Sequence, residues 1–180
     1  MRRNPTKSRS FACVFLPLSI AAVCLAFCGC AGTGAYSSKS LFPKEIGSIC
    51  LEMFDNRTFR RGAEYKLSDA LSKRIEADTP YKIVSNVDLA DSVMRGQIVS
   101  IAESVLTTER EIGRALEKEV QLKAVVTWKN LKTGGLLLDN RTVTAAASYS
   151  EYQMQDFGYA SALAANKLAQ RIVELMGNNW

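Results

Sequence analysis

Ile46-Gly-Ser-Ile-Cys-Leu-Glu-Met-Phe54 runs into Asp55-Asn56-Arg57-Thr58-Phe59-Arg60-Arg61-Gly62, and an amphipathic segment follows to Asp78. The apolar first part predicts a buried strand. Asp-Asn-Arg-Thr is turn and cap chemistry, because short polar side chains hydrogen-bond the nearby backbone and favour turns over helix interiors. Beyond Gly62, Ala63, Leu67, Ala70, Leu71 and Ile75 recur at helical spacing, with Glu64, Lys66, Asp69, Ser72, Lys73 and Glu76 on the other side. Thr79-Pro80 introduces a second strand, Tyr81 to Ser85. Strand, helix and strand at this spacing predict a right-handed crossover. The rest of the chain is expected to extend that sheet and to cover it.

Downstream, Ser92 to Leu106 reads as a long strand, and Gly96 within it marks a bulge or a close approach. Thr107 to Glu119 is dense in charge and fits either a long hairpin tip or a short helix, as a solvated loop or as a surface facing a partner. In Val120 to Trp128, Val120, Leu122, Ala124, Val126 and Trp128 alternate with mostly polar residues, the pattern of a sheet covered on one side. Asn130 to Gly135 is a hairpin turn, and Leu136 to Tyr149 returns as a strand with an irregularity at Asp139-Asn140. Ala160, Ala164, Leu168, Ile172 and Leu175 form the apolar stripe of a last helix, stopped by Gly177-Asn178. The expected fold is α+β: two helices packed on one face of a mixed four- to five-stranded sheet, in a single domain over residues 41–180.

The chain begins as an exported protein does. Arg2, Arg3, Lys7 and Arg9 precede the apolar run Phe11 to Phe27, and Cys28-Gly29-Cys30-Ala31 follows. Charged, apolar and small-residue regions in that order make a signal peptide over residues 1–29. The run is short of the ~20 residues that span a bilayer, and Pro17 interrupts it. Gly29 before Cys30 resembles a lipobox, in which the cysteine is acylated and becomes the new N-terminus; plain secretion with cleavage near Ala31 is the alternative. Acyl chains at Cys30 gain ~0.8 kcal/mol per buried methylene and hold a protein on a membrane without a spanning helix. Ala31, rather than Asp, after the cysteine implies the outer membrane. Residues 30–40 are rich in Gly and Ser and read as a flexible tether.

The leader also carries most of the net charge. Lys and Arg number 23 against 18 Asp and Glu. Without the four leader cations the balance is nearly neutral, so no nucleic-acid partner is expected. Histidine is absent, which removes the commonest general base and metal ligand. No cysteine pair has zinc spacing, and Cys50 reads as a small buried apolar residue. No phosphate-cradling loop follows a strand. An enzyme, a metal and a cofactor are therefore not expected. Arg57, Arg60 and Arg61 cluster beside Phe59. Arginine suits bidentate contact with phosphate, so these are the candidate contacts to a phosphorylated amphiphile. Alternatively they pair with Asp55, Glu64 and nearby carbonyls to fix the turn.

Leu41-Phe-Pro-Lys-Glu-Ile46, Met53-Phe-Asp-Asn-Arg-Thr-Phe-Arg-Arg-Gly62, Thr79-Pro-Tyr-Lys-Ile-Val84, Ala90-Asp-Ser-Val-Met-Arg-Gly96 and the ending from Ala160 to Trp180 resemble the LptE family of lipopolysaccharide-assembly lipoproteins. The resemblance implies two helices on a mixed sheet. It implies a one-to-one complex inside the β-barrel of the outer-membrane translocon LptD, help with that barrel's assembly, and delivery of lipopolysaccharide to the cell surface. It places the protein on the periplasmic face of the outer membrane, held by N-terminal acyl chains such as palmitate. The opening around Phe54-Asp55-Asn56 is also similar to periplasmic lipoproteins of the curli-secretion type and to activators of penicillin-binding proteins, which form a second reading.

Overall fold

The computed structural model describes residues 42–177, apart from residue 112. The signal peptide, Cys30, the tether and residues 178–180 lie outside the described residues. Eight main elements follow one another: β1 (Ser48–Leu51), β2 (Asp55–Asn56), α1 (Ala63–Asp78), β3 (Lys82–Val84), β4 (Ser92–Thr108), β5 (Ala115–Asn130), β6 (Leu136–Tyr149) and α2 (Phe157–Gly177). The sheet order is β3-β1-β4-β5-β6, and β2 continues the line of β1 beside β4. β1 is parallel to both β3 and β4, whereas β4, β5 and β6 are antiparallel. The sheet is thus mixed, as expected, and five strands wide with β2 as a sixth short piece.

Both helices share one core with one face of this sheet. Leu67, Leu71 and Ile75 of α1 meet Ala160, Ala164, Leu168 and Ile172 of α2. Beneath them lie Leu122, Ala124, Val126 and Trp128, the alternating residues of β5. Two alanines in the α2 stripe let the helix approach the strands closely, and β6 answers with Ala145 and Ala147. On the other face the same strands present Gln97, Gln121, Lys123, Thr127, Thr142 and Thr144.

The first strand departs from a continuous run. Pairing with β4 stops at Leu51↔Met94 and resumes at Asp55↔Gln97, so residues 52–54 stand opposite residues 95–96. This extra residue is a bulge, which re-aims the side chain that follows it. Here it buries Phe54 at 2% exposure over Gly96. A Cβ at Gly96 would lie 2.2 Å from Phe54 Cε1, so the close approach requires glycine. Asp55 and Asn56, expected in a turn, are the paired residues of β2, and the turn is displaced to residues 57–62.

At the other end of β1 a carboxylate replaces a turn. Asp91 accepts from Gly47 N at 2.7 Å and Ser48 N at 3.1 Å, and Lys132 lies 2.7 Å from its second oxygen. Its carboxyl is held down at about 2, first by the Lys132 hydrogen bond and then by the Gly47 N–H. The start of β1 is thereby tied to the β5–β6 turn. Beyond the helices, β4 and β5 continue as a long hairpin closed by Glu109 N→Arg114 O at 2.7 Å, with Gly113 at positive φ. The charged segment from Thr107 to Glu119 is this hairpin's tip and flanks.

Candidate functional site

The turn at residues 57–62 is built on Asn56. Its Nδ2 donates to Arg60 O (2.8 Å) and to Glu64 Oε2 (2.6 Å). Its Oδ1 accepts from Thr58 N (2.9 Å) and Thr58 Oγ1 (2.7 Å). Glu64 Oε2 also accepts from Gly62 N at 3.1 Å, which fastens the turn to the first turn of α1. Gly62 has φ +90°, a left-handed conformation suited to glycine. The Glu64 carboxyl is held below its usual value, first by its own backbone N–H and then by Asn56, Gly62 and the Arg61 charge.

The arginines divide into two kinds. Arg60 folds back: its Nη2 lies 3.1 Å from Glu103 Oε2 on β4, and its guanidinium sits 3.9 Å over the Phe157 ring at the start of α2. Arg57 and Arg61 are exposed, and among the described residues their side chains form no ion pair or hydrogen bond; the Arg57 backbone N–H donates to Ile98 O at 3.1 Å. The pairing of these arginines with Asp55 and Glu64 is not made, because Asn56 and the Gly62 N–H already satisfy Glu64. Phe59, between Arg57 and Arg61 in sequence, is fully exposed.

Glu103 joins this turn to the sheet. Tyr149 OH donates to Glu103 Oε1 at 2.6 Å, and Lys118 Nζ lies 5.9 Å from the Tyr149 ring centroid. The Tyr149 hydrogen bond, then the charges of Arg60 and Lys118, hold the Glu103 carboxyl below its usual value despite some desolvation. Tyr149 is pushed up to about 12, first by burial and then by its bond to Glu103. Lys66 Nζ donates to Gly158 O at 3.1 Å, which links the beginnings of the two helices.

One end of the domain therefore gathers the starts of α1 and α2, the turn at residues 57–62 and the root of the β4–β5 hairpin. Exposed apolar residues are frequent there: Phe59, Val105, Leu106, Tyr152, Met154 and Tyr159. Met154 is 97% exposed and holds a left-handed φ of 56°. Arg114 sits 4.6 Å from the Tyr152 ring centroid. A 450 Å³ recess opens between the hairpin and α2, lined by Thr107, Leu116, Ser148, Tyr149, Tyr159 and Leu163. The surface is amphiphilic, with aromatic and aliphatic side chains interleaved with cations. Sequence reasoning found its arginines but missed Glu103, Tyr149 and the run from Tyr149 to Tyr159. The signal was present in that run's density of Tyr, Met and Phe, which exceeds what a solvated connection needs.

The chain matches the family model of the LptE lipopolysaccharide-assembly family over residues 46–178. No curated protein matches it. Among solved structures, a hypothetical protein from Chlamydia trachomatis superposes with a TM-score of 0.54 at 10% identity, covering 74% of this chain and 97% of that one. A protein from Xanthomonas campestris gives 0.51 at 12% identity over 77% and 86%. An uncharacterized lipoprotein B from Nitrosomonas europaea gives 0.50 at 13% identity over 75% and 82%. At these identities the structures share the fold. The family match spans most of the chain, and it covers the bulged first strand, the arginine turn, both helices and the amphiphilic end. The chain belongs to the LptE family of non-enzymatic lipopolysaccharide-assembly lipoproteins.

Proposed function

We propose that this chain is held on the periplasmic face of the outer membrane by acyl chains on Cys30, and that it plugs an LptD-type β-barrel in a one-to-one complex. There it supports barrel assembly and helps lipopolysaccharide reach the outer leaflet. The observation that carries the reading is the amphiphilic end, where Phe59 and its sequence neighbours Arg57 and Arg61 are exposed on one turn, and Met154 and Tyr159 are exposed at the same end. Lipopolysaccharide is a phosphorylated, acylated amphiphile. Guanidinium groups bind phosphate oxygens in pairs, and exposed aromatic and thioether side chains accept acyl chains. Arg57 and Arg61 are the phosphate contacts in this reading. Arg60 acts through Glu103 and Phe157 and positions the turn. The face of the sheet away from the helices is polar and suits the polar lumen of a large barrel.

The test is an affinity pull-down from detergent-solubilised envelopes with a tag after Trp180. An outer-membrane barrel recovered near equal stoichiometry is the expected result, with lipopolysaccharide in the eluate. Replacing Arg57 and Arg61 by Glu is expected to remove most of the lipopolysaccharide and to leave the barrel. Recovery of copies of the chain alone, or of a peptidoglycan synthase, would refute the proposal.

A further inference from the structure

β6 is the long free edge of the sheet. The opposite edge, β3, has only three residues and follows Pro80, which makes it a poor template for pairing. β6 has fourteen residues. From Thr142 to Ser150 its sequence is Thr-Val-Thr-Ala-Ala-Ala-Ser-Tyr-Ser, with no charge and no proline. Edges that avoid strand addition usually carry an inward charge, a proline or a bulge, and this segment carries none of them.

Its protection comes from α2 instead. Lys167 Nζ donates to Ala146 O at 3.1 Å, and Arg171 Nη1 donates to Thr144 O. Neither cation forms a salt bridge among the described residues. The two spacings match. Lys167 and Arg171 are four residues apart, a rise of ~6 Å along a helix. Thr144 and Ala146 are two apart, ~6.8 Å along a strand. Two donors on one helix face therefore meet two successive outward carbonyls of the strand. Ser148 is next in that series, but the helix position one turn earlier is the apolar Leu163, and the recess opens between them.

We propose that Lys167 and Arg171 guard the β6 edge, and that the strand they exclude is β6 of a second copy. Two such edges pair antiparallel about a two-fold axis, in which each copy uses the same residues. Because Thr142 to Ser148 is uncharged, no like charges meet across that joint. With both outward carbonyls occupied, the pairing loses its central hydrogen bonds.

The test uses the full chain in density-matched detergent, with Lys167→Met and Arg171→Met together. These substitutions keep an unbranched apolar stem and remove the donors. Sedimentation equilibrium is expected to show a monomeric wild type and a variant whose self-association is at least about tenfold tighter. Slowed amide exchange at Thr144 and Ala146 should accompany dimerisation. Lys167→Arg with Arg171→Lys keeps both donors and should match wild type. Adding Thr144→Lys to the double Met variant should restore the monomer. A folded double variant as monomeric as wild type overturns the proposal, as does a wild type that already pairs through β6. If the double variant does not fold, the two single Met variants are read instead, and absence of tighter association in both overturns it equally.

Discussion

Asn56 donates two hydrogen bonds and accepts two; three act within the turn that displays Arg57, Phe59 and Arg61, and the fourth ties it to Glu64 of α1. Asn56→Ala should cost about 1–2 kcal/mol, since these bonds are partly exposed and net values per bond are modest. Asn56→Asp should cost more at neutral pH. It removes both donors and sets a carboxylate where Nδ2 lay 2.6 Å from Glu64 Oε2. Protonation of either acid relieves that repulsion, so the gap between the Asp and Ala variants should narrow below about pH 4. Urea denaturation at pH 7 and in acid measures both effects; an Asp variant no worse than Ala at pH 7 would remove Asn56 from this role. The sequence identified Asn56 as turn chemistry but could not give its partners. Glu64 lies eight residues away, across a turn whose path depends on where β2 ends.

At the scale of elements, legibility followed water. α1, α2 and the inner part of β5 were readable because one face of each meets the core and the other meets solvent. The break between β1 and β2 was not, since a bulge inserts one residue without changing how apolar the run looks. The start of β5 at Ala115 was hidden for the opposite reason. Beyond the helices the hairpin leaves the core, and Glu117, Lys118 and Glu119 form a strand without an apolar period. Glu103 lies on the same hairpin, and its depressed carboxyl gives a signed prediction. Its contribution is complete above the unfolded value of 4.5 and is lost as pH falls through the lower folded value. Glu103→Gln should therefore unfold more easily than wild type at neutral pH, and the difference should shrink in acid. The raised Tyr149 acts at the other extreme. Its contribution is whole below 10.0 and is lost as pH rises to about 12, and in Glu103→Gln that loss should be smaller and end at lower pH. Thermal melts across both ranges read these two windows. A pH-independent gap between wild type and variant would show that the Glu103 charge is not what holds the hairpin root.

At the scale of the molecule, the proposed reading assigns attachment and recognition to opposite ends of the domain. Phe42 enters against Tyr81, their ring centroids 5.7 Å apart, and lines a recess with Gly177 at the finish of α2. The amphiphilic end lies at the start of α2, and a helix of 21 residues spans ~30 Å. The described residues therefore begin, at Phe42, at the end of the domain remote from Arg57 and Arg61. Among the described residues no helix is long and apolar enough to cross a membrane. In the proposed reading the grip on the bilayer belongs to acylated Cys30. Two variants should then separate cleanly. Cys30→Ala should abolish acylation, seen as the loss of the lipid mass, and should shift the chain from the membrane to the soluble fraction. Its purified domain should bind lipopolysaccharide as wild type does. Arg57→Glu with Arg61→Glu should remain on the membrane and weaken lipopolysaccharide binding by about tenfold or more, because two phosphate contacts become repulsive. If Cys30→Ala weakened binding by the purified domain as strongly as the arginine reversal, recognition would need the lipidated N-terminus. The separation of the two ends would then be wrong.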